Sequence, residues 1–180
     1  IENAKSVGVN NISIDLIYNL PFSTIDSYKN NLNIFLSYSL PHISCYSLTR
    51  EENTMLDKLI KQNKLSIPNE EEQLKQMDCT IKTLEENNYI HYETSSYCKQ
   101  GFYSRHNAAY WTNKDYLGFG AAAHSYIKDR RFWNDNNIDS YIKKVNNGVV
   151  FDKDNMEELS LKDRYNEYVM LSSRLGSGFN

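Results

Sequence analysis

Along the first third of the chain, apolar residues fall into short runs and helical stripes in a regular order. Ile12–Tyr18 (ISIDLIY) is rich in β-branched residues and stops at the breaker cluster Asn19-Leu20-Pro21, which predicts a buried strand. Ser23 or Thr24 then stands where a helix cap belongs. Ile25, Tyr28, Leu32, Phe35 and Leu36 follow at helical spacing and predict a helix to about Ser39. Pro41 resets the chain, and His42–Leu48 (HISCYSL) predicts a second strand. Strand, helix and strand over this span have the length of a right-handed βαβ crossover.

The pattern continues less regularly. Glu52–Gln62 suits a short helix, and Asn69 before Glu70, Glu71 and Glu72 makes a cap with acids in the first turn of a helix to about Asn87. Tyr89–Thr94 is predicted as a third parallel strand. From Ser95 to Ala123 periodicity is poor, and Gly, Tyr, Trp and His are frequent. Beyond it, Arg131–Trp133 suits a short strand, Asp139–Asn147 a helix ended by Gly148, and Leu159–Leu175 a last helix. The acidic, polar stretch Phe151–Glu158 suggests a boundary near residue 150. Three strand units in series imply an α/β sheet or partial barrel, whose ligands lie at the carboxyl ends of the strands. That rule points to Asp15–Pro21, Tyr46–Glu51 and Glu93–His106.

Composition narrows the possibilities. The 180 residues carry 20 Lys+Arg against 23 Asp+Glu, a net charge of −3, so no cationic excess argues for nucleic-acid binding. No apolar run approaches the ~20 residues that span a bilayer. With 40% hydrophobic and 13% aromatic residues, the chain can build a packed core. Cys45, Cys79 and Cys98 are odd in number and widely spaced, which fits packing thiols in a reducing compartment and supplies no local metal motif. The chain starts at Ile1 rather than Met, with no targeting segment before the first predicted strand, and is expected to be a piece of a longer protein.

Several residues suggest chemistry. In a strand Ser13, Asp15 and Ile17 share one face and Ile12, Ile14, Leu16 and Tyr18 the other. The apolar face should meet helices. Asp15 would then point toward a lumen, where its carboxylate meets a cation, an amine, a ribose hydroxyl or a basic residue of the fold. Tyr46, near the end of the second strand with Ser44 and Leu48, either stacks a purine or fills the core. Arg105-His106-Asn107-Ala108-Ala109-Tyr110-Trp111 combines an iron-ligating imidazole, a carboxylate-binding guanidinium and rings able to cover a flat macrocycle; a structural histidine is the competing reading. The small-residue turn Tyr116–Ser125 lets a ligand or another strand approach its backbone, and does not match the dinucleotide fingerprint. Arg130 and Arg131 could hold propionates or simply lie on the surface, and Glu70–Glu72 reads as helix-start acids.

Taken together, "SIDLIYNLP", "HISCYSLTREENT", "YETSSYCKQGFYSRHNAAYW", "YLGFGAAAHSY" and "RFWN" closely resemble the HemW group of radical S-adenosylmethionine proteins. These are heme chaperones related to oxygen-independent coproporphyrinogen III oxidase. The resemblance implies an α/β fold forming the second half of a partial (β/α)6 barrel over residues 1–100. A substrate (heme) region at 101–150 and the start of a helical, winged-helix-like domain at 151–180 would follow. It implies that Asp15 contacts S-adenosylmethionine, that Ile17, Tyr46, Thr49 and His124 line its pocket, and that His106, Asn107, Tyr110 and Trp111 complete an HNxxYW motif linked with heme binding. The implied function is to bind heme and pass it to a recipient hemoprotein. The alternative is an oxidase that oxidatively decarboxylates two propionates by radical chemistry.

Two departures from the family pattern matter. Asn19 stands where the strand-end turn usually has Gly, and Asn tolerates positive φ well enough to keep that turn. The CxxxCxxC motif that holds a [4Fe–4S] cluster is absent, and the resemblance implies that it lies upstream of Ile1. This chain alone is therefore expected neither to bind the cluster nor to cleave S-adenosylmethionine. A cytoplasmic location is the default expectation, with an organellar one open.

Overall fold

The computed structural model describes residues 1–149 and 151–179, so the boundary expected at residue 150 lies outside the described residues. The chain divides into two compact units at Tyr103/Ser104. The first opens with a short helix α1 (Glu2–Ser6) and then runs β1 (Ser13–Tyr18), α2 (Ile25–Ser37), β2 (His42–Ser47), α3 (Met55–Lys61), α4 (Glu70–Glu86), β3 (Ile90–Glu93) and β4 (Ser96–Cys98). Local sequence sets most of these bounds. Thr24 closes a capping box with Ser27, and Thr54 and Asn69 accept the N–H groups of Asp57 and Glu72 at the starts of α3 and α4. Lys75 pairs with Glu71 and Glu72, so the acidic run is a helix start.

β1 and β2 pair in parallel, Ser13 opposite His42 through Tyr18 opposite Ser47, with α2 as the crossover between them. α2 buries Tyr28, Leu32 and Phe35, and α4 packs beside it with Tyr28 Oη 2.7 Å from Thr80 Oγ1. The core joins Phe35, Leu40, Ile43, Cys45, Leu84, Tyr89 and Tyr97, with Ile12, Ile14 and Leu16 of the first strand region packed against it. One prediction needs correction. The third strand is not hydrogen-bonded in parallel to the second: β3 turns back at Thr94-Ser95, and β4 pairs antiparallel with both β3 and β2, giving the order β1-β2-β4-β3. Two antiparallel pairings in succession leave β3 running in the direction of β2, but one strand removed from it. The hairpin wins because its return strand reaches the edge of β2 through a two-residue turn.

The second unit holds α5 (Arg105–Trp111), β5 (His124–Ile127), β6 (Arg130–Trp133), α6 (Ile138–Asn146), β7 (Met156–Glu158) and α7 (Leu161–Ser172). Its sheet is an antiparallel meander, β5-β6-β7. Lys128 and Asp129 both have positive φ, the conformation that a two-residue hairpin turn demands. α5 lies in the stretch of poor periodicity. Neither β5 nor β7 is predicted by local pattern, since each is only a few residues long and formed by its partner. The small-residue turn resolves in favour of a strand. A Cβ on Gly118 would lie 2.1 Å from the His124 carbonyl oxygen, so only glycine lets this backbone pass β5.

Gly118→Ala is therefore expected to destabilise the second unit by about 1–3 kcal/mol, the usual cost of forcing atoms into filled space. Urea unfolding followed by the fluorescence of Trp111 and Trp133, both in this unit, measures it; an unchanged midpoint would contradict the packing described.

Candidate functional site

In the first unit, alternation along β1 separates two kinds of surface. Ile14, Leu16 and Tyr18 are half-buried, with Ile14 and Leu16 packed on the core, while Ser13, Asp15 and Ile17 are exposed on the opposite side. The parallel register places His42, Ser44 and Tyr46 beside them on that same face. Ile17 and Tyr46 are 42% and 40% exposed, so Tyr46 presents its ring outside the core. Asp15 is exposed, with no ion pair among the described residues. Thr49 follows just beyond the carboxyl end of β2, exposed. A carboxylate, an aliphatic side chain and an aromatic ring on one open sheet face fit a nucleoside, whose hydroxyls and flat base need those partners.

The carboxyl ends of these strands are held by α4. Asn19 turns the chain at φ 61°, the left-handed geometry expected of it, and its N–H donates to the buried Gln76 side-chain oxygen at 2.9 Å. Gln73 Nε2 donates to Ser47 Oγ at 2.9 Å. Beyond β2, Asp57 accepts from Arg50 at 2.7 Å, from Lys61 at 2.8 Å and from the Asn53 N–H at 3.1 Å. The Lys61 and Arg50 hydrogen bonds hold its carboxyl at about 2, below the usual range.

At the other end of the open face lies a group that local sequence reading misses. His42 is only 4% exposed, with Nδ1 2.6 Å from Ser13 Oγ and Nε2 2.8 Å from Tyr92 Oη. Burial lowers its pKa, and the Asp15 and Glu93 carboxylates oppose that fall. The available signal was period two: His42 lies two positions before Ser44 and so on its face. The buried thiols do not join this chemistry. Burial pushes Cys45 up to about 12 and Cys98 up to about 11, which keeps both protonated.

In the second unit, α5 gathers the HNxxYW residues. Ser104 caps it by accepting the Asn107 N–H at 3.3 Å. His106 is exposed and meets Tyr110 edge-on at 4.9 Å, and Tyr110 meets Tyr116 at 4.5 Å. Trp111 turns away toward α7, where the Arg174 guanidinium lies 4.2 Å from its ring centroid. Tyr110 and Trp111 help line a cavity of about 240 Å³ with Glu167 and Met170. His124 lies elsewhere, exposed on β5 opposite Trp133 and on the rim of a polar recess of about 320 Å³. Thus His106 and Tyr110 are brought together, Asn107 supplies the capped N–H, and His124 does not join them in one cavity. An accessible imidazole on a capped helix is a suitable donor for heme iron.

Two further groups are already engaged. Arg131 pairs with Glu157 and Glu167, each at 2.7 Å, and Arg130 with Glu158 at 3.5 Å. A cavity of about 430 Å³ between the sheet and α6 is mostly apolar. Its Lys144 is taken by Asp135 and Asp152, and Asn155 donates to Asp135 at 2.8 Å. Among the described residues no group of three or more His, Cys, Asp or Glu could hold a metal ion, and no helix is long and apolar enough to cross a membrane.

Comparison with known proteins places this geometry. Coproporphyrinogen III oxidase (HemN) from Escherichia coli, described as a radical SAM enzyme, superposes with a TM-score of 0.74 at 20% identity, over 97% of this chain and 42% of its own. The chain therefore has the fold of that part of a radical SAM protein, with its sheets not closed into a barrel. Its sequence is 35% identical over 178 residues to the heme chaperone HemW of Lactococcus lactis and 32% identical over 177 residues to that of Bacillus subtilis. These alignments take in 99% and 98% of this chain and 46% of each relative, so the chain spans just under half their length. The chain belongs to the HemW-type family of radical SAM proteins. No family model matches.

The depressed His42 gives a testable pH dependence. As pH falls, the unfolded chain takes up the proton first, so this contribution to stability is present above about pH 6.5 and is lost on acidification below it. Urea midpoints taken from about pH 8 to about pH 5 should fall in the native protein and fall less steeply in His42→Gln. Parallel curves for the two proteins would show that His42 is not the titrating group.

Proposed function

We propose that the protein acts as a heme chaperone of the radical SAM type, binding heme and passing it to a recipient hemoprotein in the cytoplasm. The observation that carries this reading is the complete HNxxYW motif on α5, with the His106 imidazole exposed beside Tyr110. His106 is assigned as the residue that offers a nitrogen to heme iron, with Tyr110 fixing the plane of its ring. Asn107 and Trp111 are assigned to the same motif.

On the open sheet face Asp15 is assigned to the ribose hydroxyls of S-adenosylmethionine, and Ile17 and Tyr46 to its base. Thr49 borders that face at the end of β2. When bound, S-adenosylmethionine would supply a sulfonium C–S bond that one electron from a reduced iron–sulfur cluster can break, with methionine as the leaving group. The cluster's ligands are not among the described residues. In this reading Asp15 binds and orients the nucleoside.

Two measurements test the assignment. Titration of the protein with hemin should give a Soret band, and His106→Ala should weaken binding by about tenfold or more, the equivalent of ~1.4 kcal/mol. An unaltered band and affinity would remove His106 as the ligand. Asp15→Ala should weaken S-adenosylmethionine binding by about tenfold in equilibrium dialysis and leave hemin binding as it was. Sustained anaerobic turnover of coproporphyrinogen III by the protein would favour an oxidase instead.

A further inference from the structure

α5 is seven residues long and contains no buried residue, far too short to hold its own shape or direction in water. Its orientation must come from contacts at its ends. Ser104 ties the first turn. At the last turn Tyr110 packs on Tyr116 and Trp111 makes a second contact. The Trp111 ring lies beneath the Arg174 guanidinium at 4.2 Å, and its Nε1 is shut away from solvent with no acceptor among the described residues.

This arrangement divides the helix. Positions 106 and 110 lie one above the other, while 111 lies further round the axis. His106 is therefore on the exposed side, edge-on to Tyr110, and Trp111 faces Glu167, Met170 and Leu171 across the 240 Å³ cavity. A guanidinium over an indole occupies that face of the ring, and a flat ligand cannot stack there without displacing it.

We infer that Arg174 is a positioning residue of the tetrapyrrole site: it holds Trp111, and through it α5, so that His106 is presented in one direction. Trp111 serves as an anchor of the helix and does not touch the ligand. This rests on the heme reading above. The planar guanidinium suits the role because it stacks on an aromatic face over its whole width, which an ammonium does not. Of the two other cations lining the cavity, Arg131 is already held by Glu157 and Glu167, and Lys114 carries an ammonium without the flat face that stacks.

The test uses the whole protein and two readouts. The chain has two tryptophans, so in a Trp133→Phe background the emission of Trp111 is read alone. Arg174→Gln should shift that emission to the red without hemin present, and in the native background should weaken hemin binding by about tenfold. Arg174→Lys should weaken it less, by about threefold, because the charge is kept and the flat stacking lost. Trp111→Ala combined with Arg174→Gln should bind hemin no more weakly than either variant alone, since both break one contact. Unchanged hemin affinity in Arg174→Gln, with Trp111→Ala impaired, would overturn the inference and make Trp111 a ligand contact. Absence of hemin binding by the native protein would overturn the heme reading itself, while the emission shift would still report the Arg174–Trp111 contact. If Arg174→Gln loses its far-UV signal, Arg174→Lys decides: shifted emission with native hemin affinity overturns the inference.

Discussion

The alternation of side chains along β1 is the constraint on which the rest of the first unit depends. Burying Ile14 and Leu16 against the core obliges Ser13, Asp15 and Ile17 to face the other way, because successive residues in a strand point to opposite sides. A slip of one residue would exchange the two faces, expose the aliphatic side chains and bury a carboxylate without a partner. Fully burying an aliphatic side chain is worth about 1.5–3 kcal/mol, and the half-buried Ile14 and Leu16 gain a share of that only with Asp15 turned outward. The open polar face is a consequence of the core and needs no separate stabilisation.

Polar contacts then set the strand ends where a ligand face is useful. Gln76 is fully buried in α4 and spends its oxygen on the Asn19 N–H, which fixes the left-handed turn after β1. Asp57 gathers Arg50, Lys61 and the Asn53 N–H, and so closes the loop that begins beside Thr49. These contacts act on backbone near the carboxyl ends of both parallel strands. The Ser13–His42–Tyr92 chain does the same at the opposite end of the face. The face is therefore pinned at both ends and left open between.

Sequence pattern made β1, α2, β2 and α4 legible because their signals are local: apolar period, a breaker or cap at one end, and enough length to repeat. Asn19 was legible for the same reason, since a residue's tolerance of positive φ is its own property. The antiparallel slot taken by β4 was not, because three residues carry no period and their pairing with His42, Ile43 and Ser44 is set across more than fifty positions. α5 hid in a run of aromatic and polar residues, and the Arg174 that meets its Trp111 lies outside any local window. Within the candidate site, Asp15 followed from parity, whereas the tie of His42 to Tyr92 needed the fold. The direction of Trp111 could not be had from a motif, which records identities and not faces.

Charge shows how the second unit separates structural from available groups. Arg131 and Lys144 line two of the cavities of this unit, and each is held between two carboxylates. A cation so placed has more negative than positive charge around it. An anionic ligand would have to break one ion pair and then lie beside the carboxylate it released. Neither residue therefore has charge to offer the propionates of a tetrapyrrole. Arg131 instead joins β6 to β7 and α7, and Lys144 joins α6 to the segment after β6. Arg130 and Arg131, which the bare sequence offers for propionates, are thus paired within the frame, whereas Arg105 and His106 at the start of α5 are exposed.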